Sequence, residues 1–369
     1  MNKPVIACLG NCQSGAIRGI LLAIPEVKER FDVLFTRRPQ DFAAMRDRVA
    51  VVVQQATHSW DDFTVADLPT GATHIRYPAA LINYPWPLIP FQRRVKERTA
   101  RDAHFPYTIC DALVDELRAK GVPKESLLDA YFSVDVTKRF PLERLRRINE
   151  AKARQIDALS DFPIWDQMQV GQSMRTANHP NGPLLSYMVA QIIERLPLAD
   201  VAAAQEEAAA RVTDYGIQPV EAPVHPQVAD ALGLEWAKER KWTFWLEGDF
   251  TFEERLLRLY DMSYNEAFQE GRDKLAKGEE AIHSFEQASR ELPDSAMVHA
   301  FYATALIKAG RWSEAADVRG RIWKLDPSDT NRTRYWTALR RAKRMDEADA
   351  ILAANDGSPS QTNAIAPVS

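Results

Sequence analysis

The stretch Val5-Ile6-Ala7-Cys8-Leu9-Gly10-Asn11-Cys12-Gln13-Ser14-Gly15-Ala16-Ile17 decides the fold. Its first five residues are an apolar run that stops at Gly10-Asn11. Ile17, Ile20, Leu21 and Ile24 then recur at helical spacing. An apolar run, a glycine and a 3.6-residue period read as strand, tight turn, helix. The same alternation continues downstream. Phe31 to Phe35 reads as a second strand, Met45 to Arg48 closes a short helix, Val49 to Val53 is a buried central strand, and His74 to Tyr77 is a fourth. Strands alternating with helices predict right-handed crossovers and a mostly parallel sheet. Function in such sheets gathers at the carboxyl ends of the strands, where the Gly10–Ser14 turn and Gln54-Gln55 stand.

Residues 78–92, rich in proline and aromatics, predict an ordered loop over the sheet edge. Helices are expected over 111–120, 140–159, 184–196 and 228–236, with a sharp turn at Asn178-His179-Pro180-Asn181-Gly182-Pro183. The C-terminal third repeats itself. Pro293 and Pro327 stand 34 residues apart, as do Ala281 and Ala315, and Gly310-Arg311-Trp312 reads as a turn between helices. That period is the tetratricopeptide one, a helical hairpin that buries its apolar stripe only against a neighbouring hairpin. Glu347-Ala348 and Leu352 suggest a degenerate third unit. The division expected is an α/β domain over 1–262, repeats over 263–355 and a disordered tail over 356–369. Phe285, Ala288, Trp312 and Ala315 are expected in the repeat core. Arg272, His299 and Tyr302 are expected on an inner, partner-docking face.

Composition bounds the rest. The 369 residues are 46% hydrophobic and 27% charged, with a net charge of −4, so no global field calls for nucleic acid or an anionic membrane. No stretch is long and apolar enough to span a bilayer, and no signal-peptide core develops before Gly10. Three cysteines, Cys8, Cys12 and Cys110, cannot build a disulfide framework, which points to a reducing, cytoplasmic setting.

Cys12 is the sharpest chemical candidate. A thiol at the N-terminus of a helix sees unpaired amides and the positive end of the macrodipole, which favour thiolate and can hold an oxyanion. The competing reading is a small residue buried at a strand end. Cys8, inside the strand, and Cys110 read as packing. The turn is not a nucleotide-hydrolysing P-loop, because Ala16 stands where lysine is required. Gly10 and Ser14 still frame a turn that can take an anion. His179, in its proline-framed turn, is the candidate base, and a Cys–His pair would pass the thiol proton to the leaving group. His225 is the weaker alternative. His58, His74 and His104 lack metal-ligand spacing, so no metal is expected. Two basic runs, 92–101 with Arg93 and Arg94 and 138–155 with Arg146 and Arg147, read either as solvated faces or as phosphate contacts.

The motifs Gly10-Asn11-Cys12-Gln13-Ser14, Val53-Gln54-Gln55, Thr176 to Asn181 and Pro223 to Val228 resemble those of the WcbI family of capsular polysaccharide biosynthesis proteins. The likeness covers roughly 1–262, ending in Trp245 to Phe250 and Tyr260. It implies a three-layer fold like that of SGNH hydrolases, a bound coenzyme A or acetyl-coenzyme A, and acyl transfer to a glycan or sugar precursor. In that frame Gly10-Asn11-Cys12 replaces Gly-Asp-Ser, and Asp-x-x-His becomes Thr176-x-x-His179. The orienting aspartate is missing, which leaves Thr176 or a backbone carbonyl to orient His179. Asn11, Gln13, Gln55 and Asn178 would be the polar groups around the thiol. The function expected is acyl-coenzyme A-dependent transfer in surface polysaccharide biosynthesis, through Cys12 or directly with His179 as base. The alternatives are a thiol esterase that removes acyl groups and a non-catalytic coenzyme A or glycan-binding module recruited through the repeats.

Overall fold

The computed structural model describes residues 3–37, 47–57, 71–89, 111–214, 216–217, 220–244 and 247–353. The expectations for Met45, His58, Arg93, Arg94, His104, Cys110 and the tail fall outside them. Two compact units form, one from 1–87 with 136–239 and one from 88–135 with 240–369.

The first unit is built on β1 (Val5–Leu9), α1 (Cys12–Leu21), α2 (Pro25–Arg30), β2 (Asp32–Thr36), β3 (Val49–Ala56) and β4 (Thr73–Pro78). The four strands are parallel, in the order β2-β1-β3-β4. All of β1 and Val51 to Val53 are fully buried, as continuous apolar strands covered on both faces must be. Register sets Leu9 beside Thr36 and Gln54, and Gln55 beside Tyr77. The carboxyl ends therefore bring the Gly10 turn, Gln55 and Tyr77 to one edge.

The proline-rich loop runs over that edge. Ile82 N–H donates to the Ala177 carbonyl (2.9 Å), and Trp86 Nε1 to the Ala222 carbonyl (2.8 Å). Helix α3 (Leu142–Ala158) is tied to the loop through Asn149, whose Oδ1 accepts from Asn83 N (2.8 Å) and whose Nδ2 donates to Asn83 Oδ1 (2.9 Å). Beyond α3, Asp161 caps the open side of β4. Its backbone donates to the Arg76 carbonyl (2.8 Å), and its carboxylate accepts from Arg76 N (2.7 Å). An edge strand whose hydrogen bonds are taken is closed to further pairing.

Residues 174–183 are more than the turn expected from Asn178 and the prolines. They form an antiparallel hairpin, β5 (Met174–Thr176) and β6 (His179–Pro180), that enters α4 (Gly182–Ile193). Thr213, Asp214 and Gly216 clasp it so closely that only glycines fit. A Cβ on Gly182 would lie 2.4 Å from the Thr213 carbonyl oxygen, and one on Gly216, at φ 62°, would lie 2.2 Å from that of Pro180. His225 then caps α5 (Pro226–Leu232), with Nδ1 accepting from Gln227 N at 3.1 Å.

In the second unit, the hairpin β7 (Trp242–Phe244) and β8 (Gly248–Phe250) leads into α6 (Phe252–Tyr264), which opens with a Thr251–Glu254 capping box. Three helical hairpins follow: α7 (Glu266–Lys277) with α8 (Ile282–Glu291), α9 (Ala296–Lys308) with α10 (Trp312–Leu325), and α11 (Asp329–Arg341) with α12 (Met345–Ala353). Phe268, Phe285 and Phe301 meet edge-on or tilted, with ring centroids 5.5 to 6.0 Å apart. Phe285, Ala288 and Ala315 are fully buried as expected, and Trp312 is half-buried. The docking face expected at Arg272, His299 and Tyr302 is not a surface. Arg272 and His299 are 1% and 2% exposed, and Tyr302 is 8% exposed. Helix spacing alone does not separate a concave face from a seam between helices. Phe244 and Met262 belong to the same buried cluster as the repeats, so a boundary at 262 runs through that cluster.

Candidate active site

The turn after β1 is built by its own residues. The Gly10 amide donates to the Thr36 carbonyl (3.1 Å), and a Cβ there would fall 1.9 Å from Ser14 Oγ, so this position takes only glycine. Asn11 caps α1, its Oδ1 accepting from Gln13 N at 2.9 Å. Its own amide donates to Gln55 Oε1 (3.2 Å), which brings the end of β3 under the turn.

Gln13, fully buried, holds three segments together. Its Nε2 donates to the carbonyls of Ala80 (2.7 Å) and Asn178 (2.8 Å). Its Oε1 accepts from Gln55 Nε2 (2.8 Å) and Ala80 N (3.1 Å). Both amide protons are thus used inside the protein, and Gln13 positions the site instead of presenting a free donor to an oxyanion. Ser14, expected to frame an anion, shares a hydrogen bond with the phenol of Tyr77 beneath the turn.

These bonds deliver the 174–183 hairpin to the thiol. Cys12 Sγ donates to Asn11 Oδ1 at 3.8 Å and accepts from Asn178 Nδ2 at 3.9 Å. Thr176 Oγ1 turns Asn178 by donating to its Oδ1 (3.3 Å), and it accepts from the backbone N–H of His179 (3.2 Å). Thr176 therefore orients the main chain at His179. The residue on the sulfur is Asn178, with buried His179 next to it in β6. Asn178 was expected among the polar groups around the thiol, whereas the part Tyr77 plays beneath the turn was not readable in the sequence.

Burial governs the ionisation. It pushes the Cys12 thiol above its usual value, and the N–H groups of Gln13 and Cys12 and the Arg37 guanidinium recover only part of that shift. The helix N-terminus acts in the expected direction but is outweighed, so thiolate needs a base or a bound ligand to form. Cys8, fully buried, is pushed to about 12. Burial lowers His179 and His225 to about 4 each, so both imidazoles are neutral at pH 7 and able to accept a proton. This has a consequence for stability. Above the unfolded-state histidine value of about 6.5 neither state binds the proton. Between there and about 4 the unfolded chain takes it and the folded chain does not. Stability should therefore fall by up to roughly 3 kcal/mol per histidine as pH drops through this window. Thermal melts at pH 7 and about pH 4.5 measure it, and His225→Asn should flatten the slope.

Arg146 and Arg147 are exposed on α3. Arg146 acts electrostatically on the buried Tyr84 of the loop that also supplies Ala80. His74 is engaged with Gln54 Oε1 at 2.8 Å, and no metal-binding cluster occurs among the described residues.

The family model described as polysaccharide biosynthesis enzyme WcbI matches residues 5–201, over half the chain, and a tetratricopeptide repeat model matches 274–342. The fold is similar to a solved structure of WcbI, described as a novel polysaccharide biosynthesis enzyme in a native form without a disulfide bond between coenzyme A and one of its cysteines. The TM-score is 0.51 at 12% identity, covering 84% of this chain and 99% of that one. No curated protein matches. The chain, whose residues 274–342 form tetratricopeptide repeats, belongs to the WcbI family of polysaccharide biosynthesis enzymes.

Proposed function

We propose that this chain is an acyl-coenzyme A-dependent transferase that acylates, in the simplest case acetylates, a hydroxyl of a sugar or glycan precursor. The observation that carries this reading is the Cys12 thiol held at a strand-to-helix turn between Asn11 Oδ1 and Asn178 Nδ2. The similar structure, described with reference to coenzyme A and a cysteine, supports the choice of donor.

The residues suit that donor. Cys12 is a free, partly accessible thiol at the open end of the sheet. Arg146 and Arg147 supply exposed cations on α3, and we assign Arg93 and Arg94 to the same task. Gly10 and Ser14 shape the turn, and Asn11 and Gln55 hold its amides. In the covalent route Cys12 Sγ bonds to the thioester carbonyl carbon, the bond to the coenzyme A sulfur breaks, and the Cys12 proton passes through His179 to the departing thiol. The acceptor hydroxyl then bonds to the same carbon, frees Cys12 Sγ, and yields its proton by the same base. Asn178 Nδ2 donates to the sulfur as charge develops there. A reducing compartment such as the cytoplasm keeps this thiol available.

One observation favours a binding-only reading, namely the upward push of burial on the Cys12 thiol. Release of free coenzyme A thiol from acetyl-coenzyme A decides between the two. Release that depends on an added sugar supports transfer, release into water alone supports the esterase, and binding without release supports the module. Binding should weaken with salt, because exposed cations are screened. Reversing Arg146 and Arg147 together should cost about tenfold in calorimetric affinity. Unchanged affinity would return α3 to a solvated face.

A further inference from the structure

Four fully buried polar side chains, Gln13, Ser14, Gln55 and Tyr77, lie where the carboxyl ends of β3 and β4 meet the first turn of α1. Gln13 is tied to Gln55 and to Ala80. Ser14 and Tyr77 are tied to each other, and the chemistry proposed above uses neither hydroxyl.

Register explains the reach of the phenol. Tyr77 stands beside Gln55, and Gln54 stands beside Leu9 of β1, so the phenol crosses β3 to meet Ser14 in the helix that follows β1. Ser14 Oγ in turn lies against Gly10, where a Cβ would fall 1.9 Å from it. The end of β4 and the loop after it thus grip the start of α1 at two successive residues, Gln13 through Ala80 and Ser14 through Tyr77. Asn11 is held by Gln55. Cys12 sits between these anchors, with Sγ on Asn11 Oδ1 and Asn178 Nδ2.

Stability alone does not call for the hydroxyl pair. Alanine and phenylalanine fill nearly the same space, and exchanging both partners of a buried hydrogen bond for apolar groups of like shape is close to neutral. What the hydroxyls add is a fixed distance and direction between the strand end and the helix start, which apolar contact does not impose. The phenol also lies near enough to Cys12 and Cys8 to act on both, and burial keeps it neutral.

We infer that Tyr77, acting through Ser14, is a positioning residue for Cys12: the hydroxyl pair locks the first turn of α1 to the end of β4 and so keeps the sulfur on Asn178 and against the amides of Cys12 and Gln13. Loosening the turn takes those amides away from the sulfur, so thiolate forms at higher pH, while access to the sulfur is not reduced. The thiol's presentation does not depend on which reaction it serves, whereas the effect on turnover rests on the transfer proposed above.

The test follows alkylation of Cys12 by iodoacetamide in the full chain, from about pH 6 to about pH 10, by peptide mapping beside thermal melts. Tyr77→Phe strands the Ser14 hydroxyl. It should lower the melting temperature and move the midpoint of the alkylation profile upward by about half a pH unit or more. Tyr77→Phe with Ser14→Ala leaves no partner stranded, so the melting temperature should return to near wild type while the midpoint stays shifted. A merely structural pair would bring both back together. Arg37 beyond β2, Cys8 in β1 and His179 in β6, the other ionisable groups at this corner among the described residues, are unchanged in these variants. In turnover of acetyl-coenzyme A the double variant should lose about tenfold in kcat at an unchanged KM, because the donor's contacts remain. The role of Tyr77 is overturned if the double variant alkylates with the wild-type midpoint, or if it melts far below wild type or fails to fold, which makes the pair structural. Alkylation needs no transfer reaction. A chain that binds coenzyme A without releasing thiol from acetyl-coenzyme A therefore fails the proposed function, and the alkylation profile still decides the role of Tyr77.

Discussion

Replacing Cys12 by alanine is expected to lower acyl transfer by on the order of 10⁴-fold while costing less than about 1 kcal/mol of stability. The asymmetry follows from the site's construction. The Gly10 turn is held by Gln13, Gln55, Ala80 and Thr36, and none of those bonds involves the sulfur. Sγ itself makes long contacts to Asn11 and Asn178. Burial raises the thiol above its usual value, so wild-type rate should climb with pH toward the alkaline side, and the low-pH limb should be set by His179 near 4. Cys12→Ser should remove the alkaline rise. Alkylation with peptide mapping should label Cys12 well before Cys8, which is fully buried and pushed to about 12. A Cys12→Ala protein that keeps wild-type turnover would sink the covalent route and leave direct attack with His179 as base.

Glu247→Ala should destabilise the second unit by about 3–5 kcal/mol, enough to lower its melting temperature by roughly 10 °C. The Glu247 side chain is 0% exposed and receives four hydrogen bonds. Arg258 donates from Nε (2.8 Å) and Nη2 (2.6 Å), Ser295 from Oγ (2.7 Å), and Met297 from its backbone amide (2.7 Å). Removing the carboxylate leaves a mostly buried guanidinium with the exposed Asp294 at 3.4 Å as its remaining counter-charge, and opens the N-terminus of α9. The double variant Glu247→Met with Arg258→Met should recover most of the loss, because it leaves no unpaired charge. Differential scanning calorimetry of both proteins checks this. A single variant that melts within about 2 °C of wild type would show that water replaces the carboxylate at no cost. The same residues bear on the domain boundary proposed at Met262. Glu247, Phe244 and Met262 all face partners beyond that point, so the boundary is best probed by limited proteolysis of the intact chain.

The sequence by itself determined the strand-turn-helix at Gly10, the buried run at Val49, the parallel order that alternation requires, and the 34-residue repeat. Each of these is written in neighbouring residues. An apolar run, a glycine where a Cβ has no room and a helical period act over one or two turns of chain, so they can be read locally. The motifs around Cys12 and His179 were legible for the same reason, and they named the family. What only the tertiary structure decided lies between distant residues. Gln13 reaches Ala80 and Asn178, Ser14 meets Tyr77, and Asn178 lies on the sulfur through its Nδ2. The ionisation of the thiol was decided there too, because it depends on how much water packing removes from around Cys12, a quantity that no spacing encodes. In the repeats, periodicity located the helices, but which of their polar residues face solvent was set by how successive hairpins pack. That is why Arg272 and His299 lie inside the array.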